Sequence, residues 1–251
     1  MGALRRARAR PRRRPLTTRA AYERPGTWRV LERRATPAVL HASLPDPRGA
    51  RLACVCIPLG RAVVIGSAQP ASDFDGERLA EAGTDLVRRR SGGGAVLVVP
   101  GLQVWLDVFV PNEDALAQSD VGKSFHWLGD VFAAALANVL GTSAEHAALE
   151  VHRGPAQLTS WSKALCYAGL GAGEVTVEGR KVVGMSQRRE RSGAWIHSMA
   201  LLSHRAGDLA DLLAGSEERR SAARLGLEHA GLRDAEHLVD PLTEEILDHL
   251  P

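Results

Sequence analysis

The chain has 251 residues, 45% of them hydrophobic, and carries a formal net charge of +3. That length supports one substantial core, and no run approaches the roughly 18 uninterrupted apolar residues of a membrane helix. Three cysteines with no CxxC pair do not make a disulfide framework, and a reducing cytoplasm is the expected location.

The charge is unevenly placed. Arg5, Arg6, Arg8, Arg10, Arg12, Arg13 and Arg14 outnumber the whole positive excess, so the rest of the chain is slightly acidic. Residues 1–24 are expected to be a disordered basic arm. It has no apolar segment behind it, so it does not read as a secretory signal. No aromatic platform or groove-reading helix accompanies it, and nucleic acid is not an expected partner. Lys123, Lys163 and Lys181 are the only lysines in an arginine-rich chain. Lysine kept in such a background suggests a position where a planar guanidinium does not replace a compact ammonium.

Residues 28–41 are compatible with a helix that ends at the turn signals Pro45-Asp46-Pro47 and Gly49. The β-branched runs 52–57 and 62–66 predict strands, and 74–82 a short helix closed by Gly83. Residues 85–90 and 95–99 predict strands on either side of Ser91-Gly92-Gly93-Gly94, and 103–110 alternates as a third. In 119–140, Val121, Phe125, Leu128, Phe132, Leu136 and Val139 fall at helical spacing, with Ser119 or Asp120 as cap and Gly141 as stop. Two hairpins follow: 174–177 turns at Glu178-Gly179 into 181–184, and that strand turns at Arg191-Ser192-Gly193 into 195–202. Residues 208–214, 216–227 and 241–250 predict helices. The sum is an α+β domain with a mixed sheet, packed helices and a short helical C-terminal tail, divided as arm 1–24, catalytic unit 25–205 and tail 206–251.

Three consecutive glycines between strands cost backbone entropy and give no side-chain packing, but they let a ligand approach exposed N–H groups. Such a loop is also compatible with a plain hairpin tip. Lys181, just inside a strand after a tight turn, suits an ammonium held toward an oxyanion or phosphate, and equally a solvated edge residue. The two segments carry more together than apart. Arg88-Arg89-Arg90-Ser91-Gly92-Gly93-Gly94-Ala95-Val96, then Gly179-Arg180-Lys181-Val182-Val183-Gly184-Met185-Ser186-Gln187-Arg188, then the His197-bearing strand, resemble the lipoate–protein ligase and octanoyltransferase family, whose fold biotin ligases share. Gly66-Ser67-Ala68-Gln69 resembles the family's early Gly-x-x-Gln element. The Gly-Arg-Gly-Arg loop of biotin ligases is absent, which disfavours biotin.

The resemblance implies an acyl pocket walled by Arg90, Ser91, Gly92, Gly93, Gly94 and Ala95, with Gly184 and His197 lining it and Lys181 at the acyl carbonyl. No residue is assigned to a metal. Cys166-Tyr167-Ala168-Gly169 through Glu174 resembles the cysteine segment of the Cys/Lys octanoyltransferases, which makes Cys166 the candidate nucleophile. A thiol beside an ammonium reacts as thiolate, and its thioester keeps enough free energy to acylate an amine. A buried cysteine acting as a small hydrophobe is the plain alternative, and Cys54 and Cys56 are read that way. The run after Leu202 is short for the accessory domain many ligases append, which tilts toward a transferase. Leu97-Val98-Val99-Pro100-Gly101, Met185, Ser198-Met199 and Gly173-Glu174 depart from the family pattern. The implied activity moves an octanoyl or lipoyl group from an acyl carrier protein, without cofactor, to a lysine on a lipoyl domain of a 2-oxo acid dehydrogenase or on the glycine-cleavage carrier. Alternatives are a lipoate ligase using ATP and Mg, and a non-catalytic relative that binds the acyl group or its carrier. No membrane partner is expected.

Overall fold

Strand β1 (Thr17–Glu23) opens the part of the chain that the computed structural model describes, namely residues 17–23, 28–141, 148–203 and 205–251. It pairs antiparallel with β2 (Arg29–Ala35), so the expected disordered arm overlaps a strand at 17–23, while residues 1–16 and 24–27 lie outside the described residues. The helix expected over 28–41 is β2 followed by the short α1 (Pro37–Ala42). Pro37 explains the break: it is tolerated in a helix's first turn and not in its interior, so no helix continues through it. Upstream, Val30, Leu31, Arg33 and Ala35 are buried as β2 is sandwiched between β1 and β3.

The remaining elements run β3 (Leu52–Pro58), β4 (Ala62–Ile65), α2 (Gly76–Glu81), β5 (Asp85–Arg88), β6 (Val96–Val98), β7 (Gln103–Pro111), α3 (His126–Leu140), β8 (Leu149–Val151), β9 (Val175–Val177), β10 (Arg180–Glu190), β11 (Gly193–Leu201), α4 (Asp208–Asp211), α5 (Glu217–Gly226) and α6 (Val239–Asp248). Helix α3 starts later than its periodicity suggests. Asp120 accepts the Lys123 N–H at 3.0 Å, and a 3₁₀ turn, Lys123–Phe125, intervenes before the α-helix begins. Strand β8 has no sequence signal beyond three residues and was not expected.

Eight strands form one mixed sheet in the order β1-β2-β3-β7-β11-β10-β9-β8, and β5-β4-β6 form a second. Only β2–β3 and β4–β5 are parallel pairs among the described strands. The alternation on β7 sorts the large sheet's two faces. Leu106, Val108 and Val110 enter a core with Leu128, Phe132 and Leu136 of α3 and Leu242, Ile246 and Leu247 of α6. Each such fully buried aliphatic or aromatic side chain contributes about 1.5–3 kcal/mol. Trp105 and Phe109 point the other way, into a core shared with the small sheet, Leu40 of α1, Leu209 of α4 and Ala223 of α5. The candidate site lies in this second layer. Among the described residues no helix is long and apolar enough to cross a membrane.

Candidate active site

Two adjacent arginines brace the Gly66–Gln69 segment after β4 and the glycine loop between β5 and β6. Arg88 donates from Nη1 to the carbonyls of Gly66 (3.0 Å), Ser67 (3.1 Å) and Gln69 (2.6 Å). Arg89 is buried and donates to the carbonyls of Gly92 (2.7 Å), Gly94 (2.8 Å) and Val64 (3.2 Å). Burial works against the charge of Arg89, while negative charge at Cys166 and Tyr167 favours it, so this cation lies within electrostatic reach of the cysteine. Gly94 is needed for close approach: a Cβ there would lie 2.7 Å from Leu165 N. The contact permits a short bridge, Ala95 N to Ala164 O at 2.8 Å and Cys166 N to Ala95 O at 2.9 Å. The loop therefore positions the main chain of Cys166. Gly92, by contrast, faces open space.

Cys166 opens a single 3₁₀ turn, Cys166–Ala168, and is half-buried. Lys181 sits under this turn. Its Nζ lies 2.7 Å from Cys166 O, 2.9 Å from Gly169 O and 2.6 Å from Glu174 Oε2, so each ammonium proton has an acceptor. Glu174 in turn accepts from Gly171 N (2.6 Å) and Met185 N (3.0 Å). The pairing of β9 and β10 slips between Lys181 and Val183, one extra residue lying on β10. This bulge restores Lys181 to the face of Gly184 and Ser186, and sends both Val182 and Val183 into the opposite core. Tyr167 packs its ring 5.1 Å from Nζ, donates to Met199 O at 2.5 Å and accepts from Gly184 N at 3.2 Å.

Across the layer, Asp107 is fully buried on the face of Trp105 and Phe109. The register of β7 and β11 sets His197 opposite it, with Nδ1 2.9 Å from Asp107 Oδ1, off the line of an ideal N–H donor. Trp105 Nε1 donates to the same oxygen at 2.7 Å, and Cys56 Sγ lies 3.8 Å from Oδ2. Burial alone would push the Asp107 carboxyl up, but His197, His41 and Trp105 together hold it below its usual range. His41 of α1 stacks 4.6 Å from Trp105 and 6.0 Å from His197, centroid to centroid. Its Nε2 is buried without a hydrogen-bond partner. Burial drives its pKa down to about 3; Asp107 opposes this, and His197, Arg89 and Arg33 add to it.

Of these groups, His41, Arg89, Cys166, Tyr167 and His197 border one cleft, of about 390 Å³ of empty space and open to solvent. Val64, Val96, Trp105, Met185 and Met199 make its walls largely apolar, and Cys166, His197, Ser186, Arg89 and His41 are its polar points. Of the residues singled out in the sequence, Cys166, Gly184 and His197 meet on this wall. Lys181 lies behind the Cys166 turn and is not part of the wall. Ser91 is buried and joined to the cleft by its hydroxyl contact with Ser186 Oγ at 2.9 Å. Gly92, Gly93, Gly94 and Ala95 shape the backbone behind Cys166, and Arg90 points to solvent. Arg89, His41, Asp107 and Glu174 were not singled out as site residues; a charged residue within an apolar alternating strand was the available signal for Asp107. Among the described residues no cluster of His, Cys, Asp or Glu is placed to hold a metal ion.

No curated protein matches the sequence. In fold, the chain is similar to a bipartite lipoate protein ligase of an archaeal lipoylation system, from Thermoplasma acidophilum and described with its E2 lipoyl domain. The TM-score is 0.59 at 17% identity, over 79% of this chain and 69% of that one. A lipoate-protein ligase A structure bound with ATP gives a TM-score of 0.50 at 17% identity, over 88% and 94% of the two chains. A T. acidophilum protein with bound lipoic acid gives 0.50 at 18%, over 84% and 86%. Identities this low establish the shared fold alone. The model of the lipoyl protein ligase A/B catalytic domain, however, matches residues 52–246, which takes in the glycine loop, the Cys166 turn, Lys181, His197 and the C-terminal helices. The chain belongs to the lipoyl protein ligase A/B catalytic domain family.

Proposed function

We propose that this chain is an acyltransferase of protein lipoylation, which takes an octanoyl or lipoyl group onto Cys166 as a thioester and passes it to a lysine of a lipoyl carrier domain. The observation that carries the proposal is the placement of Cys166 on the wall of an apolar cleft, with its main chain fixed on two sides, by Ala95 and by Lys181. A preorganised nucleophile beside an apolar cleft suits a fatty acyl thioester, since the chain is held by burial and the reacting carbon by position.

In this reading the glycine loop from Ser91 to Gly94, with Ala95, sets the cysteine's position, and Gly184 and His197 border the acyl group. The arginine facing the site is Arg89, with Arg90 outside it. Lys181 acts by holding the turn and by its positive charge beneath it. The helices after residue 206 form part of the same unit, since Leu209 and Ala223 share the core of the site layer. The donor is an acyl carrier protein thioester, and the acceptor a lipoyl domain such as the one described with the archaeal ligase. No nucleotide is needed, because the thioester already carries the free energy for amide formation.

Incubation with octanoyl-loaded acyl carrier protein and an isolated lipoyl domain, without ATP, tests the proposal. Octanoylation of the lipoyl domain by the wild type, lost in Cys166→Ala, supports it. Transfer only from free lipoate with ATP and Mg, with pyrophosphate released and Cys166→Ala fully active, replaces it with the ligase reading. Binding of carrier or acceptor without any transfer replaces it with a non-catalytic relative.

A further inference from the structure

We propose that residues 226–231, at the end of α5 and just after it, are a positioning element of the transfer site: their main chain fixes Lys181, and through Lys181 the turn that carries Cys166. This rests on the reading of Cys166 and Lys181 as the acyl-transfer pair.

Strand β10 needs such a support at Lys181. Its ladder with β11 starts at Val183, opposite Ala200, so β11 does not reach Lys181. On the other side, the register with β9 slips between Lys181 and Val183. A bulge interrupts the ladder locally, and the Lys181 ammonium, shared among Cys166 O, Gly169 O and Glu174 Oε2, is only as well placed as its own main chain. Residues 229–231 take the place of β11 there. Lys181 N donates to His229 O at 2.9 Å, and Gly231 N donates to Lys181 O at 2.8 Å, which makes a parallel bridge centred on Lys181 and Ala230. Both main-chain groups of Lys181 are thereby satisfied from outside the β9–β10 pair. Arg180 clamps the same segment, donating from Nε to Gly231 O at 2.9 Å and from Nη2 to Ala230 O at 3.2 Å.

Two glycines let the segment come this close. Gly231 has a φ of +71°, and a Cβ on it would lie 2.7 Å from Ser203 O and 3.1 Å from Leu201 Cβ. At Gly226, the last residue of α5, a Cβ would lie 2.9 Å from Trp161 Cδ1. The carbonyl of Trp161 accepts from Ala164 N at 2.9 Å and Leu165 N at 2.8 Å, so the side chain seated on Gly226 belongs to the turn that leads into Cys166. One short segment therefore supports the nucleophile's turn at one end and Lys181 at the other. None of its residues lines the cleft that Cys166 borders, so its effect on transfer passes through the groups it holds. Misplacing a positioned group by about 1 Å costs on the order of 10²-fold in rate.

The test is single-turnover octanoylation of the full chain by octanoyl-loaded acyl carrier protein, in Gly231→Ala, Lys181→Arg and the double variant. Gly101→Ala is the control: its φ is +79° and nothing lies within 4 Å of an added Cβ, so it carries the backbone strain without the approach to Lys181. Gly231→Ala is expected to slow octanoylation by about 10–100-fold. The double variant is expected to match Lys181→Arg within about twofold, because the two changes act through one group. A merely structural role would lower the rate by the same factor in both backgrounds. If circular dichroism shows Gly231→Ala unfolded, Arg180→Met takes its place, since it removes the two clamping bonds and inserts nothing into the contact. A wild-type rate, a loss no larger than that of Gly101→Ala, equal factors in both backgrounds, or Lys181→Arg at the wild-type rate overturns the proposal and leaves the thioester reading standing. If wild type forms no octanoyl adduct, the thioester reading fails, and hydrogen exchange at the Lys181 amide decides. Slow exchange that Gly231→Ala speeds by about tenfold or more, and Gly101→Ala does not, retains the segment as the holder of Lys181. Fast exchange in wild type, or equal exchange in the two variants, overturns it.

Discussion

Replacing His41 by Phe tests how the site layer is electrostatically arranged. His41 is 7% exposed, its Nε2 has no partner, and burial lowers its pKa from 6.5 to about 3. Because the folded value is depressed, neutral His41 costs nothing above the unfolded imidazole's pKa. Stability is lost as pH falls below that value, until the folded value is reached. Each pH unit across this interval is worth about 1.4 kcal/mol, so at roughly pH 4.5 the wild type should have lost about 3 kcal/mol through this side chain alone. Phe at position 41 keeps the stacking on Trp105 and cannot titrate. Urea denaturation of both proteins near neutrality and at the acid pH gives the difference directly. The Phe variant is expected to lose about 3 kcal/mol less than the wild type on acidification. Equal losses, within about 0.5 kcal/mol, would show that His41 charges without unfolding the layer and would refute the reasoning.

Three further outcomes follow from the contacts around Cys166. Glu174→Gln leaves the Lys181 ammonium buried beside a neutral amide and should cost about 3–5 kcal/mol. The double change with Lys181→Met should cost less than the sum of the singles by more than about 1 kcal/mol in chemical denaturation, because no unpaired charge remains. Lys181→Arg should lower acyl transfer by tenfold or more, since a planar fork does not fit three acceptors grouped around one nitrogen; full activity would remove Lys181 from the machinery. Gly94→Ala should cost about 1–3 kcal/mol through the clash with Leu165 and slow acylation of Cys166, whereas Gly92→Ala should lie within about 0.5 kcal/mol of wild type. Thermal melts and adduct rates of the two variants check the contrast.

The parts of the site legible in the sequence were those written in local chemistry. The glycine triplet, the Gly-Arg-Lys turn and the His197 strand stood out, because turn residues and alternation are set by neighbours in the chain. Lys181 was found, but not its surroundings. A bulge of one residue at Val182 decides which face it takes, and strand alternation counted from the sequence cannot register such a slip. His41 was lost inside a helical period that ran across the β2–α1 junction, although Pro37 marked the break. Asp107 was read as one more residue of a strand facing alternately in and out. Its meaning depends on His197, ninety residues away in sequence and opposite it across β7 and β11. Arg89 and Arg90 are adjacent and chemically equal; the alternation of β5, with Val87 inside, continues past the strand and puts Arg89 in the interior and Arg90 in solvent.

The most direct measurement is the intact mass of the full chain after mixing with octanoyl-loaded acyl carrier protein in the absence of ATP, with Cys166→Ala alongside. A single octanoyl adduct, released by hydroxylamine and missing from the variant, is the predicted result. An unmodified wild-type mass, under conditions where free lipoate and ATP yield pyrophosphate, would contradict a thioester at Cys166.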